Sequence, residues 1–147
     1  MEYLSEYSFY SLADKVHRYF RDKLLTAKDF DFIMDSFNID VPRLQMNFDE
    51  LRILKQEGNL FGLHSYSHPI RIGELENTEQ SHEYRMNYLD LNRELKTDID
   101  LLAYPCGSHN KYTKQLLKEM GIRIAFIAQQ IESKDMMMFP REDISNL

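Results

Sequence analysis

The chain has 147 residues, a formal charge of −6, and 43% apolar and 29% charged residues, which suits one domain with its own core and falls well short of the ~250 residues of a closed (β/α)8 barrel. No apolar run approaches the ~20 residues of a spanning helix, and no dense Lys/Arg patch offers itself to a phosphate backbone, so a membrane span and a nucleic-acid partner are both excluded. The lone Cys106 excludes an internal disulfide, and the opening Met1-Glu2-Tyr3-Leu4-Ser5-Glu6 lacks the basic and apolar regions of a secretion signal, which predicts a cytoplasmic chain.

Up to residue 40 the pattern is helical. Leu12, Val16, Tyr19 and Phe20 form one apolar stripe, and Phe30, Ile33, Met34 and Phe37 form another behind the cap Thr26-Ala27-Lys28-Asp29. Asp40-Val41-Pro42 breaks it. Asn47-Phe48-Asp49-Glu50 then caps a short helix through Leu51 and Leu54 that stops at Gly58, and residues 59–64 read as a buried strand. Thr78 begins a long helix with Tyr84, Tyr88, Leu91 and Leu95 at helical spacing. Leu101-Leu102-Ala103-Tyr104 reads as a second strand, ending in the turn Pro105-Cys106-Gly107. Asn110 caps a helix through Leu116, Leu117 and Met120 closed by Gly121, residues 122–127 read as a third strand, and residues 136–141 as a final strand or extended segment. Strands alternating with helices imply βαβ units and a parallel sheet with helices on its faces.

The chemistry centres on Gly62-Leu63-His64-Ser65-Tyr66-Ser67-His68-Pro69. Neutral imidazole is the commonest protein ligand for zinc-like metals, and the proline keeps the second histidine out of the interior of a continuing helix. Histidines at this spacing also cap loops or sit on surface helices. Position 65 is Ser, so the Glu of a His-Glu-x-x-His metalloprotease is absent. Two histidines leave a catalytic zinc site short of its usual third ligand. His17 and His82 lie among charges on helices and read as solvated, and Met136-Met137-Met138 reads as packing.

The histidine segment, followed by Ala103-Tyr104-Pro105-Cys106-Gly107-Ser108-His109-Asn110, resembles the polysaccharide deacetylase family over residues 46–144. The resemblance implies an α/β fold, a partial, distorted (β/α) barrel of parallel strands missing the opening strand or strands, in a single domain over 1–147 with a helical segment over 1–40. It implies a hydrolase that removes acetyl groups from N-acetylated carbohydrate with a divalent metal, most often zinc. By it His64 and His68 are metal ligands, the Cys106 backbone N–H is an oxyanion donor, and Arg141 supports the catalytic carboxylate. Apart from the resemblance, Tyr66 is read as lining the cleft or packing at the barrel rim, His109 as a polar residue at a loop-to-helix junction near substrate, and Tyr104 as a further substrate contact. The side chain at Cys106 departs from the aromatic residue of most relatives. The family's Asp-Asp pair, its general base and third ligand, has no counterpart in residues 1–63, where no two aspartates adjoin. The chain is therefore expected to be weak or inactive alone, or to be a noncatalytic carbohydrate- or protein-binding module, and an open sheet edge would favour homo-oligomers.

Overall fold

In the computed structural model the chain divides into two compact units, Met1–Leu44 and Gln45–Leu147. The residues described are 46–129 and 131–141, together with Phe32 and Ser36, and the helices expected before residue 40 lie almost wholly outside them.

Helix α1, Phe48–Gln56, begins where expected. Asn47 Oδ1 accepts the Glu50 N–H at 2.9 Å while Glu50 Oε2 accepts the Asn47 N–H at 2.7 Å, so two of the amides a helix start leaves unpaired are satisfied reciprocally. The chain leaves it through Gly58 at φ +89°. No residue of α1 is buried, and polar contacts tie it to α2, Asn77–Leu95. Arg52 pairs with Glu94, and the Lys55 ammonium bonds the Leu95 carbonyl, a cation at the negative end of the α2 dipole.

Helix α2 starts at Asn77, one residue before the expected Thr78. It buries Tyr84 and Leu95, with Tyr88 and Leu91 packed against the core. Beyond it, β1 (Leu101–Ala103), α3 (Lys111–Glu119) and β2 (Ile124–Ile127) form a βαβ unit, and the two-residue β3 (Phe139–Pro140) completes a parallel sheet in the order β1-β2-β3. Leu102 faces Ala125, and Phe126 faces Phe139. Leu63, Ile72, Tyr84, Leu102, Tyr104, Leu117, Ala125, Ile127 and Met137 belong to the core between sheet and helices. Among the described residues no helix is long and apolar enough to cross a membrane.

Three strand expectations change. The buried strand expected over 59–64 reduces to a single bridge of Leu63 to Leu102, bonded through Leu101 and Ala103 at 2.8 and 2.9 Å. Leu60 is 85% exposed, so apolar composition misled there. Gly62 lies so close to β1 that an added Cβ would stand 3.1 Å from the Leu101 oxygen. The third strand starts at Ile124, because the Ile122 N–H bonds Leu117 and those of Arg123 and Ile124 both bond the Asp100 carbonyl. Of the last segment, Met136–Met138 forms a 3-10 turn, leaving the strand only Phe139–Pro140.

Candidate metal and active site

Parallel strands deliver their following loops to one edge of a sheet. At that edge lie His64 after the Leu63 bridge, Tyr104 to Gly107 after β1, Ala128 after β2 and Arg141 after β3.

The exposed His64 holds its Nδ1 at 2.7 Å from the Ala103 carbonyl oxygen. A carbonyl oxygen only accepts, so Nδ1 carries the proton and the Nε2 lone pair is left for a ligand, the arrangement metal-binding histidines use. Ser65 and His68 take left-handed φ values of 67° and 59°. The loop is pinned by the His68 N–H on Ser65 Oγ at 3.1 Å and folds back so that the two imidazoles meet edge to face, centroids 4.8 Å apart and planes at 63°. With a metal–nitrogen distance of ~2.1 Å, a ring centroid lies about 3.2 Å from the ion, and two histidines on one tetrahedral ion have centroids about 5 Å apart. The centroid spacing matches that of two histidines sharing one ion. Among the described residues no group of three or more His, Cys, Asp or Glu joins to complete a site.

The loop is held from α2. The Glu83 carboxylate, 9% exposed, accepts the N–H groups of Tyr66 and Ser67 at 2.9 and 2.8 Å and the Ser67 hydroxyl at 2.6 Å. The His64 N–H donates to Asn87 Oδ1 at 3.0 Å. Sequence reasoning passed over both residues. Their signal was a row of polar side chains, Gln80, Glu83 and Asn87, sharing one face of a helix whose neighbouring stripe is aromatic.

The Cys106 turn leaves the same strand end, three residues after the Ala103 carbonyl that His64 engages. Cys106 is exposed with φ 50°, and Gly107 follows at 71°. The Gly107 and Ser108 N–H groups turn back to the Tyr104 and Pro105 carbonyls at 3.1 and 2.9 Å.

Tyr104, expected near substrate, is a core residue of the described fold. It has 0% exposure, its hydroxyl donates to the Met137 carbonyl at 3.1 Å, and burial, with Asp135 second, pushes its pKa up. Its ring instead supports His109, stacked on it with centroids 4.6 Å apart. His109 Nδ1 lies 2.9 Å from the Gly107 carbonyl, which again leaves Nε2 as the acceptor nitrogen. Tyr66 is 55% exposed at the rim, 6.3 Å from the exposed His82 ring. Arg141 is exposed at the correct edge, but β1, β2 and β3 put it three strand spacings from the His64 segment, ~14 Å.

A family model described as polysaccharide deacetylase matches residues 16–125, beginning upstream of the expected 46–144 and ending before Arg141. Among solved structures, the chain is similar to the Streptococcus pyogenes deacetylase PplD in complex with acetate, with a TM-score of 0.62 and 19% identity over 72% of this chain and 46% of that one. It is similar to the BpsB deacetylase domain from Bordetella bronchiseptica, with a TM-score of 0.59 and 18% identity over 71% and 51%. A de-N-acetylase from Aggregatibacter actinomycetemcomitans gives a TM-score of 0.57 and 14% identity over 71% and 50%. The chain thus spans about half the length of the structures it matches, and at these identities the likeness concerns the fold. No curated protein matches significantly.

Proposed function

The chain belongs to the polysaccharide deacetylase family, and we propose that it is part of a metal-dependent hydrolase that removes acetyl groups from N-acetylated carbohydrate. The observation that supports this is the His64 and His68 pair, with Nε2 of His64 left as acceptor by the Ala103 carbonyl and the ring centroids 4.8 Å apart. A divalent metal there, zinc above all, would supply Lewis acidity at the amide carbonyl and lower the pKa of water toward ~7. Beside it the Cys106 N–H is the proposed oxyanion donor, a contribution typically worth ~10²–10³ in rate. His109 and Tyr66 are the proposed substrate contacts. Arg141 is the proposed support for a catalytic carboxylate.

The chain by itself is proposed to be weakly active, because residues 1–63 contain no Asp-Asp pair. Metal analysis and acetate release from an N-acetylglucosamine oligomer test this together. The purified chain should take up zinc, His64→Ala should lose it, and acetate release should be slow and zinc-dependent. Equal, negligible zinc in both proteins defeats the proposal. A second reading, a noncatalytic carbohydrate-binding module, is favoured by the lack of a three-ligand group among the described residues. It predicts oligomer binding that is indifferent to His64→Ala.

A further inference from the structure

One face of α2 carries Glu83 and Asn87 one turn apart, in a helix that otherwise buries Tyr84 and Leu95 against the core. A buried carboxylate is costly unless its oxygens are bonded. Those of Glu83 are, and among the described residues every bond goes to the histidine loop: two amides and the hydroxyl of residues 66 and 67. Asn87 takes the His64 amide, and Ser65 takes that of His68. The amides of His64, Tyr66, Ser67 and His68 therefore end on side chains, where a strand would have placed them on a ladder.

This hold is needed for two physical reasons. Among the described residues the segment's backbone meets the sheet only through the Leu63 bridge. Ser65 and His68 also sit in the left-handed region, which residues other than glycine keep only when their surroundings over-determine it.

We propose that Glu83, assisted by Asn87, is the positioning residue of this site: it preassembles the His64–His68 loop, so that the ligand pair stands in place before a metal arrives. The proposal rests on the metal role proposed for those histidines. Glu83 acts through the loop, from which both of its oxygens accept hydrogen bonds.

Glutamine at this position separates positioning from charge. Its carbonyl oxygen can accept the two amides and its NH2 can donate to the Ser67 hydroxyl, whereas alanine keeps none of these bonds. The test uses the full chain in two arms: amide exchange followed by NMR without metal, and calorimetric titration with zinc chloride alone. In Glu83→Ala the Tyr66 and Ser67 amides should exchange at least tenfold faster, while those of Leu102 and Ala125 keep their rates. Zinc affinity should fall ~10–100-fold, the usual cost of removing a group that orients a metal ligand. Glu83→Gln should restore both readouts to within about threefold, and it decides the matter if the alanine variant does not fold. Unchanged Tyr66 and Ser67 exchange in Glu83→Ala overturns the proposal. So does a glutamine variant as impaired as the alanine one, or a loss of zinc affinity that accompanies loss of protection at Leu102 and Ala125. If wild type and His64→Ala take up zinc equally, the metal role falls, and the exchange arm alone decides whether Glu83 holds the loop.

Discussion

Tyr84 and Tyr104 are both buried phenols whose pKa is pushed up chiefly by desolvation, so each keeps its O–H at any ordinary pH. They differ in where that O–H goes. Tyr104 donates to the Met137 carbonyl, whereas the Tyr84 hydroxyl has no partner among the described residues. Removing one member of a buried bond strands the other, so Tyr104→Phe should cost ~1–2 kcal/mol in urea unfolding. Tyr84→Phe deletes an unbonded polar atom and should leave stability within ~0.5 kcal/mol or raise it. Asp135 responds to pH instead. The Met137 N–H, chiefly, holds its carboxyl below the ordinary 3.8; burial opposes it, and Lys114 adds to the lowering. The folded chain therefore binds this proton less tightly than the unfolded chain. Its stabilising effect is complete above the unfolded value and is lost as pH falls through the folded one. Acid titrations of stability should show a shallower slope below about pH 4 in Asp135→Asn than in wild type.

At the scale of elements, the joint between the turn at Ile72–Glu74 and the start of α3 is the closest approach at any glycine of the chain. A Cβ on Gly73 would lie 2.7 Å from the His109 carbonyl carbon, backbone against backbone. Gly73→Ala should therefore cost ~1–3 kcal/mol and displace the His109 ring from Tyr104, visible as a changed histidine NMR shift. Asn110 does two things there, accepting the Thr113 N–H at 2.9 Å and donating to the Gly73 carbonyl at 2.7 Å. Asn110→Asp keeps the cap and loses the donor, so it should cost less than Asn110→Ala, which loses both and about 1–2 kcal/mol. Caps of this kind were legible in the sequence, as were Gly58, Gly121 and the stripe from Tyr84 to Leu95, because each depends on residues within one or two turns. The parallel sheet followed from the alternation of strands and helices. Leu60 was misread because an apolar run does not say which of its members a three-residue neighbour can cover. Glu83 and Asn87 went unseen for a related reason: they act on a loop 16 to 23 residues away in sequence, and only the packing of α2 brings them to it. The placement of Tyr104 under His109 is likewise a product of tertiary packing.

For the molecule as a whole, metal binding and stability are linked if the histidine pair takes zinc. A ligand bound only by the folded chain at 100 times its Kd adds ~2.7 kcal/mol. Wild type should therefore show a higher Tm with saturating zinc while His64→Ala shows none of the increase, a comparison that needs no substrate. The Leu63 segment also presents its far side without a paired strand among the described residues. Such an edge can pair with a second copy, and light scattering at increasing protein concentration should then report a dimer.

The direction shared by β1, β2 and β3 has one more consequence. At the starting end, Asp100 accepts the Arg123 and Ile124 amides and pairs with the Arg123 side chain. At the finishing end lie His64, His68, Cys106 and His109. One end fastens the sheet and the other carries the candidate chemistry. A saturation library scored twice, once for cellular protein level and once for zinc retention, should separate along the strand axis. Substitutions at the buried Ile122 should deplete the first score and carry the second down with it, while those at His64 and His68 should leave abundance nearly intact and deplete only the second.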